Sequence, residues 1–111
     1  MGHPDLRKGL DQPAIKMVRD LLRNENWWIL ISNGDRVSPA EHDWEDVLPL
    51  ARMLIEAAPD RAIWCMDWPH VQYTKPMPND AELLEFLYRA APDPVLRRKV
   101  LSDNPARLFG F

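Results

Sequence analysis

Two uninterrupted apolar runs limit what this chain can fold into: Trp27-Trp28-Ile29-Leu30-Ile31 and Ala62-Ile63-Trp64-Cys65-Met66. Both are too short for a good helix and carry aromatic and β-branched residues, so they predict buried strands over 27–32 and 62–66. Between them, Val47, Leu50, Ala51, Leu54 and Ile55 recur at helical spacing, which predicts a helix over 46–57 with Pro49 tolerated in its first turn. Ile15, Val18, Leu21 and Leu22 predict an earlier helix over 13–23, opened by Pro13. After the second run, Asn79 or Asp80 caps a helix through about Ala90. Pro92-Asp93-Pro94 then opens another, with Val95, Leu96, Val100 and Leu101 on its apolar face, ending near Asn104-Pro105. Residues 33–43 and 67–79 read as loops, the second barred from regular pairing by Pro69, Pro76 and Pro78.

Helices alternating with short, fully apolar strands imply parallel strands covered by helices, which is the α/β class. A parallel pair alone leaves two sheet edges open and offers neither the closure of a barrel nor the five or six strands of a typical open sheet. The chain therefore reads as part of a larger fold. An eightfold β/α barrel takes about 250 residues, roughly 30 per βα unit, so two strands with their helices and loops fill about the 111 residues present.

With 46% hydrophobic and 28% charged residues, the composition excludes disorder of the whole chain. A net charge of -3 gives no general basic field, so neither a nucleic acid nor a membrane is an expected partner. The run 27–31 falls far short of the roughly 20 residues that span a bilayer, and the charged opening residues 1–8 lack the apolar stretch of a signal peptide. Cys65 is the single thiol, so no intrachain disulfide can form; a cytoplasmic location is expected.

The stretch Asp60-Arg61-Ala62-Ile63-Trp64-Cys65-Met66-Asp67-Trp68-Pro69-His70 and the ending Asn104-Pro105-Ala106-Arg107-Leu108-Phe109-Gly110-Phe111 resemble the C-terminal part of amidohydrolase-related (β/α)8-barrel hydrolases. The resemblance is greatest to the 2-pyrone-4,6-dicarboxylate lactonase and sugar-lactonase group, and it runs along nearly the whole chain. It implies that residues 1–111 are the last two strands and flanking helices of a TIM barrel, with strands one to six absent. The opening Met1-Gly2-His3-Pro4-Asp5 resembles the stretch just after a functional His on strand six. The first-strand His-x-His pair of the family is absent too, and neither His42 nor His70 has the spacing to replace it. The implied function is a lactonase-like hydrolase of a small carboxylated lactone or similar cyclic ester, represented by a piece inactive alone. The implied cofactor is a divalent metal such as zinc in metal-using members and none in the lactonase-like group. The competing reading is a non-catalytic α/β module that pairs through its strand edges, with itself or with a chain supplying the missing strands.

Counting in twos, Ile63, Cys65 and Asp67 share one face of the second strand and Trp64 and Met66 the other, so Asp67 places a carboxylate at the strand's C-terminal end. By itself Asp67 reads either as a functional acid or as a loop-start residue capping backbone N–H groups. The resemblance implies the strand-eight acid, a general base on the hydrolytic water or a metal ligand in metal-using members. Arg36 follows the first strand by four residues, and its planar fork suits a substrate carboxylate; the resemblance implies that role, a solvated surface Arg being the alternative. Trp68, beside Asp67, is placed to wall a ligand pocket, and His70 to partner Asp67 or simply to pack. Leu30 stands where the family often has Lys, and Cys65-Met66 where it has a small pair, which would narrow the pocket. The other tryptophans, Trp27, Trp28, Trp44 and Trp64, are expected in packing, and Lys75, Arg97, Arg98 and Lys99 on solvated faces.

Overall fold

β1 (Ile29–Ile31) and β2 (Ala62–Trp64) pair in parallel, with Ile29 opposite Ala62, Leu30 opposite Ile63 and Ile31 opposite Trp64. The computed structural model describes residues 1–111, and this pair is its entire sheet. Flanking bonds extend the ladder: Ile29 N–H donates to Arg61 O at 2.9 Å and Cys65 N–H to Ile31 O at 3.3 Å. Both strands are shorter than their apolar runs. Trp27 belongs instead to the turn leaving the first helix, where its N–H donates to Asn24 O, and it is 48% exposed.

Three of the predicted helices form where their apolar stripes lie: α1 (Pro13–Leu21), α3 (Leu48–Ala57) and α4 (Asp80–Ala90). A fourth, short helix, α2 (Gly34–Val37), lies between β1 and α3. Pro49 sits in the first turn of α3, where its missing N–H costs nothing, and Leu50, Ala51, Leu54 and Ile55 are buried behind it. A capping box starts α4: the Asn79 side chain accepts from Ala81 N–H at 2.8 Å, and Glu82 accepts from Asn79 N–H at 3.2 Å. The core joins Ile31 and Ala62 of the sheet to α3, to Phe86, Leu87 and Ala90 of α4, and to Trp44 and Val100. It covers one side of the sheet, which takes Trp64 and Met66 as partly buried members. Leu30, paired with Ile63, is 41% exposed on the other side. A parallel pair ordinarily has both faces covered, so this sheet is half dressed. The Cα radius of gyration is 13.6 Å, near the roughly 13 Å of a compact domain this size.

The loop expected over 33–43 contains a short helix, α2 (Gly34–Val37), and a 3-10 turn follows at Glu45–Val47. Asn33, in the left-handed region at φ 60°, turns the chain from β1 into α2. Gly34 lets α2 approach Phe86 closely, since a Cβ at that position would lie 3.0 Å from the Phe86 ring, tighter than an ordinary contact. The last helix also differs from expectation, continuing past Asn104-Pro105 as α5 (Pro94–Arg98), a π turn (Lys99–Asp103) and α6 (Asn104–Phe109). Pro105 would collide with the carbonyl four residues earlier in a regular α-helix, and the wider π turn removes that clash.

Among the tryptophans only Trp44 is fully buried, edge-on to Phe86 at 6.4 Å; Trp28 lies beneath the Arg107 guanidinium at 5.1 Å. The cations are not simply solvated. Lys99 Nζ pairs with Asp60 at 2.8 Å, and Arg97 lies 4.1 Å over the Tyr88 ring while donating to Ala91 O. No helix is long and apolar enough to cross a membrane.

The Asn-Pro-Ala-Arg ending is a structural tie. Asn104, 2% exposed, donates to Pro59 O at 2.9 Å and to Ala62 O at 2.7 Å, and Arg107 donates to Asp60 O. Asn104→Ala strands a buried carbonyl at the start of β2, a loss of about 1–3 kcal/mol. Chemical denaturation should show it as a lowered midpoint; an unchanged midpoint would mean that α6 does not hold the strand.

Candidate functional site

Parallel pairing puts the C-terminal ends of β1 and β2 side by side, and the segments leaving them meet. Arg36, in α2, donates from Nε to Asp67 Oδ2 at 3.0 Å and from Nη2 to Val71 O at 2.8 Å. Its guanidinium lies over the Tyr73 ring, 5.1 Å from the centroid, with the side chain only 20% exposed. It is therefore no free surface charge. The Nη1 N–H groups have no protein acceptor. Asp67 sits at φ 63°, its N–H donates to Cys65 Sγ at 3.3 Å, and its side chain is 39% exposed. One carboxylate edge is held by Arg36 and the other is open, an arrangement that positions an acid without burying it.

His70 lies on the same loop and takes the packing alternative, with its side chain on Asp80 and not on Asp67. Its backbone N–H donates to Asp67 O at 2.8 Å, but its imidazole is 5% exposed and its Nε2 lies 3.3 Å from Asp80 Oδ1, at the start of α4. The ring meets Tyr73 edge-on at 6.4 Å, and Nδ1 is buried without a partner. His70 thus anchors the loop beneath Asp67, and its side chain does not touch the carboxylate. Trp68, beside Asp67, is 73% exposed.

Three contributors were not visible as site residues in the sequence. Tyr73 floors the Arg36 guanidinium; burial first, then the neighbouring Asp35 carboxylate, push its phenol pKa up to about 12. The phenol oxygen nonetheless has no partner in hydrogen-bonding geometry. Asp35 is 2% exposed in α2. Lys75, expected on a solvated face, donates instead to three backbone carbonyls: Asp35 O at 2.7 Å, Ser38 O, and Ala40 O at 3.3 Å. Only the Asp35-Arg36 adjacency hinted at any of this, since Tyr73 and Lys75 act across more than thirty residues of sequence.

No three His, Cys, Asp or Glu side chains converge in these residues, so this chain alone does not supply a metal-ligand set; Asp67 offers one carboxylate. The pair at the strand ends can accept a proton and hold an anion.

Residues 1–111 match the amidohydrolase family along their full length. A 4-sulfomuconolactone hydrolase of Hydrogenophaga intermedia is 47% identical over 110 residues, covering 97% of this chain and 36% of that protein. A 2-pyrone-4,6-dicarbaxylate hydrolase of Comamonas testosteroni is 36% identical over 118 residues, covering 98% of this chain and 39% of that protein. A solved apo structure from Agrobacterium tumefaciens superposes with a TM-score of 0.77 at 30% identity, covering 91% of this chain and 36% of that one. The chain thus spans little more than a third of the length of the relatives it matches.

Tyr73 provides a test of the packing around Arg36. A phenol that ionises near 12 in the fold and near 10.0 when unfolded binds its proton more tightly in the fold. Its contribution to stability is complete below pH 10 and is lost as pH rises toward 12. The ultraviolet titration of the wild type minus that of Tyr73→Phe should show a phenolate midpoint near 12, and the wild-type melting temperature should fall more steeply than that of the variant above pH 10. A difference midpoint near 10 would place the phenol in solvent.

Proposed function

Because the chain belongs to the amidohydrolase family, we propose that residues 1–111 are the C-terminal part of a (β/α)8 barrel, the last two strands with their flanking helices, and that Asp67 and Arg36 serve a hydrolase of small carboxylated lactones. The observation that carries this reading is the 3.0 Å contact between Arg36 and Asp67 at the C-terminal ends of two parallel strands. Active sites of such barrels sit at that end. Two relatives, by their names, are hydrolases of a sulfonated muconolactone and of a pyrone dicarbaxylate, which supports an anionic cyclic substrate.

In this reading Asp67 takes a proton from the attacking water through its open carboxylate edge, and Arg36 turns its unpartnered Nη1 toward the substrate's anionic group. Neither group stabilises the oxyanion of an opening lactone. That contribution comes from the remaining strands, which pack on the open side of the sheet where Leu30 is exposed. The alternative of a non-catalytic pairing module invokes the same unpaired edges; they are the joints at which the rest of the barrel adds.

General-base help is worth about 10² to 10⁴-fold, while enzymes commonly need 10⁶-fold or more. The isolated 111 residues should therefore turn over no lactone faster than their Asp67→Asn control, and should self-associate in sedimentation through the unpaired strand edges. In a complete barrel carrying this segment, Asp67→Asn should lower kcat by about 10² to 10⁴-fold. Arg36→Met should raise KM for carboxylated lactones far more than for neutral ones. Full activity of the Asp67→Asn barrel would refute the proposal.

A further inference from the structure

The two loops that carry Arg36 and Asp67 are joined a second time, away from the ion pair. The Lys75 ammonium donates to Asp35 O, Ser38 O and Ala40 O, carbonyls at and just beyond the end of α2. It forms no ion pair with any carboxylate, so its charge is spent on the backbone. An ammonium has three N–H groups, and three convergent carbonyls use all of them. The carbonyls at a helix C-terminus lack intrahelical partners and carry partial negative charge, and a cation there is favourable. α2 has only four residues and cannot hold its own orientation by internal bonds. Arg36 lies between the first two carbonyls that Lys75 grips, so the orientation of α2 decides where its guanidinium points. Ser38 fixes the far side of the same joint: buried at 2% exposure, it donates from Oγ to Asp46 Oδ1 at 2.6 Å and accepts from Ala40 N–H at 3.0 Å.

We propose that Lys75 is a positioning residue: by capping the end of α2 from the Asp67 loop, it sets the Arg36 guanidinium against Asp67 and keeps Nη1 turned outward for an anion. This rests on the reading of Arg36 and Asp67 as one site. Without the cap, α2 keeps its packing on Phe86 and the Ser38–Asp46 bond but loses the hold on its last carbonyls, so Arg36 shifts away from Asp67 while the hydrophobic cluster, of which Lys75 is not a member, stays in place.

The test is the Arg36 Nε–H signal in nitrogen-15 NMR of the 111-residue chain, assigned with Arg36→Lys and Asp67→Asn. In the wild type this proton should be resolved from exposed arginines and protected from solvent exchange. Lys75→Met should lower that protection by about tenfold or more, with the Trp44 and Phe86 core signals unchanged. Lys75→Arg should restore part of it. Lys75→Gln carries the test if Lys75→Met does not fold, since it keeps a donating amide but neither the charge nor the third N–H, and it too should lose protection. Full protection of Arg36 in a folded Met or Gln variant would overturn the proposal. No turnover is measured, so a barrel without lactonase activity would refute the proposed function and leave this result standing.

Discussion

Parallel pairing of two three-residue strands is the constraint on which the rest of the structure depends. In an antiparallel pair the segments after Ile31 and after Trp64 would leave from opposite ends of the sheet. In register and parallel, they leave together, and residues thirty-one apart in sequence come within 3.0 Å. A parallel pair also requires a crossover, and the helix α3 between the strands supplies it while burying Ile31 and Ala62. The same segment of sequence thus makes the core and aims the site.

Once the loops meet, cations fasten them to backbone carbonyls. Arg36 takes Val71 O, Lys75 takes three carbonyls of the α2 end, Arg61 takes Leu22 O and Trp27 O, Arg52 takes Arg89 O, and Arg107 takes Asp60 O. Such bonds are partly exposed and individually modest. Their use is geometric: a long, flexible side chain can reach a carbonyl that no regular element pairs. A chain with one small sheet and many turns has many such carbonyls. These cations are thereby consumed internally, on the protein's own backbone.

How much of this was legible in the sequence follows from the range over which each signal acts. Helical stripes and caps are local, so Leu50, Leu54 and Ile55 marked α3, and Asn79 or Asp80 marked the start of α4, where the structure settles on Asn79. The strands were marked by apolar runs, but their ends were not: Trp27 satisfies the turn criterion as well as the strand one, and Arg61 claims its carbonyl. Alternation placed Asp67 at the strand end, and the parallel class placed Arg36 near it. Lys75 and Tyr73 resisted reading because each acts on a group more than thirty residues away in sequence. A lysine in a proline-rich loop has no periodicity to separate a solvated side chain from one bonded to three carbonyls. α2 was hidden for a related reason: its first residue is a glycine, chosen for the closeness of Phe86 and not for helix propensity.

The Asp67 loop cannot be holding its own shape. Asp67, His70 and Gln72 all lie in the left-handed region, at φ 63°, 56° and 56°. Each such residue costs about 1–3 kcal/mol unless its surroundings compel it, with Asp and His at the cheaper end and Gln at the dearer. Three within six residues would relax in a free loop. Beyond the loop's own bond from His70 N–H to Asp67 O, what compels them is outside: Arg36 holds Asp67 by its carboxylate and Val71 by its carbonyl, the buried His70 ring is pinned against Asp80, and Lys75 ties the loop's exit to α2. The strained backbone and the external ties are two sides of one arrangement. It leaves Asp67 at the strand end with one carboxylate edge held and the other open, a position that the Asp67 backbone would not adopt without residues that never touch its free oxygen.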